Sequence, residues 1–227
     1  VFVTPELRNS TAHVFVANID SPVLSDTDAH HLTRVLRIKS GETITICDGA
    51  GLWRTATING GAVEPISVVC RAESPRESRI AFVPVKGDRT ELIVQKATEI
   101  GVSEIVVIAP TARSVVKWDD RKSRSEIDRL SRIAREASMQ SRRLFLPRVV
   151  GPVALADVAA MGFAVAEPGG AVNTMPGAIA VGPEGGFAPN EVALFSTSVD
   201  LGDTILRAET AAIVAAVRVV STATMRG

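Results

Sequence analysis

The chain has 227 residues, no net formal charge, 46% hydrophobic and 22% charged residues, which excludes a disordered chain and allows one or two domains with real cores. Two cysteines (Cys47, Cys70) and three histidines (His13, His30, His31) share no ligand spacing, so neither a disulfide framework nor a metal site is expected. The longest apolar run, Ala208 to Val220, is broken by Glu209 and Arg218, so no membrane span is expected; no signal-like segment opens the chain, which predicts a cytoplasmic protein, and a short native stretch is expected ahead of Val1.

The first 72 residues read as β-rich. Val14–Val16, Thr43–Cys47, Trp53–Ile58 and Ile66–Cys70 suit short strands, separated by turn signals at 39–42 and 48–51. One helix is expected over Asp28–Leu36, with His31, Leu32, Val35 and Leu36 on one face. This predicts a small β-barrel over residues 1–72. The polar stretch 72–78 suits a linker.

A different rhythm then fills residues 77–227. Strands are expected at Ile80–Val85, Ile105–Ala109, Phe163–Ala166, Ala178–Val181 and Ser198–Leu201. Helices are expected at Thr90–Ile100, stopped by Gly101, at Ser123–Ser138 and at Ala208–Thr222. Strands alternating with helices predict an α/β domain with a mostly parallel sheet. The last helix is apolar nearly all round, which predicts burial in a core or a dimer interface.

From Arg113 to Arg148 eleven cations face five acids. Such a local field attracts a polyanion, or else describes a solvated helix face of mixed sign.

Ligands of parallel sheets bind at the carboxyl ends of the strands. Three expected strand ends run into glycine-bearing loops: Glu167-Pro168-Gly169-Gly170, Gly182-Pro183-Glu184-Gly185-Gly186-Phe187, and Gly202-Asp203-Thr204-Ile205-Leu206-Arg207. Glycine serves tight turns and also lets backbone approach a ligand. The chain has neither the Gly-x-x-x-x-Gly-Lys-Ser/Thr run of a phosphate loop nor an early Gly-x-Gly-x-x-Gly fingerprint. Carboxylates in the loops argue against a polyphosphate and fit a cationic or zwitterionic adenosine-type ligand.

VGPEGGF followed by LGDTILRAETA resembles the two C-terminal motifs of the SPOUT methyltransferases. More specifically, it is similar to the bacterial family that methylates N3 of a uridine in small-subunit (16S) ribosomal RNA. HLTRVLRIKSGE (31–42) resembles that family's PUA-like barrel motif. KGDRTELIVQKATEIGV (86–102) and REASMQSRR (135–143) resemble stretches of its catalytic part. The resemblance spans almost the whole chain. It implies an N-terminal PUA-like β-barrel that binds RNA, and a C-terminal SPOUT α/β domain with a trefoil knot. It also implies a homodimer that binds S-adenosylmethionine in the three loops, with ribosomal RNA or the assembled small subunit as partner. The family pattern carries a basic residue just before its first strand, where this sequence opens Val1-Phe2-Val3.

On this resemblance the cofactor would be held by Glu167, Gly182, Pro183, Glu184, Gly185, Gly186, Leu201, Gly202, Ile205, Leu206 and Thr210. Glu184 and Glu167 would stand near the methionine part of the donor, or serve only turn geometry. Arg207 would act in catalysis with Glu184. Uridine N3 is a poor nucleophile until its proton leaves, and a cation beside the uracil oxygens stabilises the resulting anion. Arg207 could instead bind phosphate or bridge to Glu209. Arg34, Arg37, Gln140 and Arg143 are candidates for RNA contact, against solvated surface positions. With 4% aromatic residues and no tyrosine, RNA binding is expected to rest on cations and weaken with salt.

Overall fold

A computed structural model describes residues 4–171 and 176–225; Val1, Phe2 and Val3 lie outside the described residues. The chain divides into two compact units. One holds the residues up to Pro75 together with Ser138–Leu146; the other holds Arg76–Ala137 and the residues from Pro147 onward.

In the first unit, α1 (Pro5–Asn9) starts on Thr4, whose hydroxyl accepts from Leu7 N. Among the described residues a five-stranded sheet follows: β1 (His13–Phe15), β2 (Thr43–Cys47), β3 (Leu52–Asn59), β4 (Ala62–Pro65) and β5 (Cys70–Arg71). β1 runs parallel to β2, and the other pairings are antiparallel. The strand expected over Ile66–Cys70 is not formed as such. Gly60 and Gly61 both take positive φ (58° and 89°) and reverse the chain at once, so pairing with β3 begins at Ala62. Beyond Pro65 the Ser67 hydroxyl replaces a backbone partner for Thr55 N (3.0 Å), and the regular ladder stops. Between β1 and β2, α2 (Asp26–His30) passes into a π-helical turn, His31–Val35, in which Leu36 N donates to His31 O (2.9 Å). The wider turn breaks the expected face. Leu32 is buried, whereas Val35 and Leu36 are exposed.

Residues 138–146 contribute to this unit's core through Met139 and Leu144. Their backbone is tied down by partners distant in sequence. Cys47 Sγ donates to Leu144 O (3.2 Å), Gly51 N to the same oxygen (3.0 Å), and Leu146 N to Gly49 O (3.0 Å). Arg142 Nη2 donates to Ser10 O (2.8 Å). Buried His13 donates from Nε2 to Arg143 O (2.9 Å), leaving Nδ1 to accept from the Thr45 hydroxyl (2.9 Å). Burial pushes the His13 pKa down from 6.5 to about 4.

Among the described residues the second unit is built on a parallel six-stranded sheet: β6 (Arg79–Phe82), β7 (Glu104–Ile108), β8 (Arg148–Val153), β9 (Ala164–Ala166), β10 (Ala178–Val181) and β11 (Ser198–Val199). Its spatial order is β11-β9-β10-β6-β7-β8, and each neighbouring pair is parallel. Alternation sends successive side chains to opposite faces. Ile80, Phe82, Ile105, Val107, Ile179 and Val181 face a core shared with α3 (Arg89–Ile100), α4 (Asp120–Gln140) and α7 (Ala208–Met225). Ala81, Val106, Ile108, Ala178 and Ala180 face a second core with Val158 of α5 (Leu155–Ala160), Phe163 and Phe187. A sheet covered on both sides explains why its strands are apolar throughout. As expected, α7 is buried along Ala212, Ala215, Ala216 and Val219, against α3, β6 and β10. β8 and α5 have no counterpart in the sequence reading. Gly151 and Pro152 read as loop punctuation, yet an edge strand with a register shift tolerates both. A short α6 (Pro189–Val192) begins with a proline in its first turn.

His13 sets a pH dependence for the first unit. Its folded pKa lies below the unfolded value, so its stabilisation is complete above pH 6.5 and is lost as pH falls toward 4. Unfolding of this unit followed at pH 7.5 and pH 4.5 should show a loss on the order of 3 kcal/mol from this group. In His13→Gln the difference should shrink. An equal pH dependence in that variant would show that the burial of His13 carries no such cost.

Candidate active site

β10 lies between β9 and β6, and β11 lies outside β9, so three strands end side by side. The loops that follow them enclose a cavity of about 330 Å³ within the second unit. Its wall includes Glu167, Gly182, Pro183, Glu184, Gly185, Gly186, Leu201, Gly202, Ile205 and Leu206, ten of the positions singled out from the sequence. Arg207 and Thr210 lie off the wall, and both are exposed. Ala166, Val181, Leu201, Leu206 and Ala211 give the cavity an apolar part.

Three charged groups hold the loops in place. Asp200 accepts from Gly169 N (2.8 Å, Oδ2) and from Gly202 N (3.0 Å, Oδ1), and so ties the first loop to the third. These amides, Gly202 first, hold its carboxyl below the usual carboxylate range. Arg113 donates from Nη1 to Gly185 O (2.9 Å) and Phe187 O (3.3 Å), closing the middle loop. Glu191 accepts from Ala112 N (2.7 Å) and Ala188 N (2.8 Å), which holds the Arg113 segment against the start of α6.

Arg89, at the start of α3, donates from Nε to Lys86 O (2.9 Å) and pairs with Glu184 (3.3 Å) and Glu209 (3.5 Å). Glu184 is exposed and pairs with Arg89, which it shares with Glu209, and Lys86 N lies 3.5 Å from the same Glu184 oxygen. Glu209 is taken by Arg89 and not by Arg207. Among the described residues no hydrogen bond or ion pair engages the side chain of Glu167 or of Arg207. The unpaired acid on the wall is thus Glu167.

Asp200, Arg113 and Arg89 are not among the site residues expected from the sequence. Asp200 carried a local signal, because Asp two residues before Gly forms a side-chain-to-backbone turn. Arg113 and Arg89 reach residues 72 and 95 positions away, and nothing local announces that. Of the RNA candidates, Arg34 and Arg37 are exposed at the π-helical turn of the first unit, with Arg37 at φ 53°. Gln140 is exposed in the segment 138–146. Arg143 is half-buried there, and burial lowers its pKa to about 10. Among the described residues no group of His, Cys, Asp and Glu is placed to hold a metal ion, and no helix is long and apolar enough to cross a membrane.

The RNA methyltransferase domain family matches residues 72–220, and the RNA methyltransferase PUA domain family matches residues 24–64. The ribosomal RNA small subunit methyltransferase E of Bacillus subtilis is 30% identical, over 86% of this chain and 89% of the relative. The protein of the same name from Synechocystis is 32% identical, over 85% of this chain and 70% of the relative. The chain belongs to the ribosomal RNA small subunit methyltransferase E family. A Legionella pneumophila protein solved with SAM bound superposes with a TM-score of 0.78 at 28% identity, covering 95% of this chain and 97% of that one. The family's two-part organisation accounts for the mixed α/β fold and the PUA region.

The first loop packs tightly on β11. A Cβ on Gly170 would stand 2.7 Å from Val199 C and 2.8 Å from Val199 N. Gly170→Ala should therefore cost about 1–3 kcal/mol in denaturant unfolding, as overpacking does. An unchanged midpoint would show that the loop is free to move off the strand.

Proposed function

We propose that this protein transfers a methyl group from S-adenosylmethionine to N3 of a uridine in small-subunit ribosomal RNA. The observation that carries the reading is the cavity at the ends of β9, β10 and β11, in a chain of this family. Its residues fit the cofactor. The cavity is large enough for a small-molecule ligand. Its apolar wall suits an adenine, its glycine-rich loops expose backbone to a polar group, and Glu167 offers an unpaired carboxylate to a cation. The likeness to the SAM-bound Legionella structure supports the same choice. When bound, the cofactor supplies an electrophilic methyl group.

The protein's own residues supply binding and charge. Leu201, Leu206 and Ala211 would pack the adenosine, and Glu167 would balance the donor's positive centre. Glu184, held by Arg89, fixes the middle loop and the start of α3 to each other. Arg207 follows directly on the wall residue Leu206, exposed and unpaired among the described residues. Its guanidinium would face the uracil oxygens and stabilise the anion left when the N3 proton departs.

The finer architecture belongs to the same proposal. The second unit would be a SPOUT domain with a trefoil knot, completed as a homodimer, and the first would close as a PUA-like barrel. Arg34, Arg37, Gln140 and Arg143 would contact the RNA, and Thr210 would join the cofactor set. A ribosomal RNA substrate would put the enzyme in the cytoplasm.

The test is transfer of labelled methyl from S-adenosylmethionine to purified small subunits that lack the modification, followed by nucleoside analysis. 3-Methyluridine is the expected product. A different methylated nucleoside would reassign the target atom, and no product on any ribosomal RNA would overturn the reading. In the same assay Arg207→Ala should lower kcat about 10²–10³-fold, the scale of losing one transition-state donor, with donor affinity unchanged. Wild-type turnover would remove Arg207 from the mechanism.

A further inference from the structure

A second cavity, of about 220 Å³, lies in the same unit, between the turn after β6 and the start of α4. Lys86 and Lys122 stand on its wall, both exposed, and among the described residues neither ammonium has a hydrogen-bond or ion-pair partner. Trp118 also lines it, half-buried, with part of its surface packed on the main core. The acids on the wall, Glu91 and Glu126, are both paired with Arg129, at 2.5 Å and 3.7 Å. Three cations against two acids leave the wall net positive.

The cavity neighbours the candidate active site across a single turn. Lys86 lines the second cavity, and its backbone reaches a wall residue of the first: its N–H lies 3.5 Å from Glu184 Oε1, and its carbonyl accepts from Arg89, which pairs with Glu184.

An indole and two free ammonium groups around one small cavity match one kind of ligand. Every base has a face that stacks on an aromatic ring, and a phosphate is drawn to lysine without regard to sequence. A chain with 4% aromatic residues and no tyrosine has few places for such a contact. We propose that this cavity binds one unpaired nucleotide of the RNA substrate, its base against Trp118 and its phosphate between Lys86 and Lys122. The inference rests on the ribosomal RNA methyltransferase reading, and it names a contact for a nucleotide flanking the target. Held there, the strand would run past the turn at Lys86 into the candidate active site.

The full-length protein labelled with 5-fluorotryptophan has two ¹⁹F signals, from Trp53 and Trp118, assigned with Trp53→Phe. A short single-stranded RNA should shift the Trp118 signal, whereas heparin, a polyanion without bases, should not. Lys86→Ala/Lys122→Ala should weaken RNA binding at least tenfold and raise KM for small subunits similarly, with kcat and S-adenosylmethionine affinity unchanged. A Trp118 signal unmoved at saturating RNA, an equal response to heparin, or wild-type RNA binding by the double variant would each overturn the proposal. Methyl transfer by the wild-type protein separates the two readings. Transfer with a silent Trp118 removes only the nucleotide site, and an RNA-responsive Trp118 without transfer removes only the proposed activity.

Discussion

The placement of β10 between β9 and β6 is the constraint on which the larger unit depends. Each of these pairings is parallel, so every carboxyl end points the same way. A chain that leaves β6 for β7 and β8 must return to the other side to make β9, and then insert β10 beside β6. The loops after β9, β10 and β11 are brought together by that order, although they are separated in sequence. Open parallel sheets place ligands where strand order reverses in this way.

Strand order alone leaves three mobile loops, and the side chains of Asp200, Arg113 and Arg89 convert them into a wall. Each spends its charge on backbone groups or on another wall residue. Glu167 and Arg207 are left without such partners among the described residues. In a site for a cationic donor and a developing uracil anion, these are the groups with charge still available. Preorganised charge is worth most when it need not rearrange during reaction.

The sequence carried much of this. Apolar runs ending in glycine-bearing loops were enough to find the cavity wall, because strand ends and close backbone approach both leave local marks. The alternation of strand and helix likewise announced the parallel sheet. What stayed hidden depends on partners far along the chain. The stretch 138–146 read only as part of a basic run. It packs into the first unit because His13, Cys47 and Gly51 bind its carbonyls. β4 was missed because the turn at Gly60–Gly61 sets its register, and β8 because Gly151 and Pro152 resemble a loop until the strand is seen at an edge. The partner of Glu184 stayed hidden for the same reason: Arg89 lies 95 positions away.

Hydrogen exchange of the full-length protein with and without S-adenosylmethionine tests the central claim most directly. The account predicts slowed exchange of backbone amides in 167–170, 182–187 and 201–206, the three loops of the wall. Saturation with the cofactor that leaves all three loops unchanged while protecting another segment would contradict it.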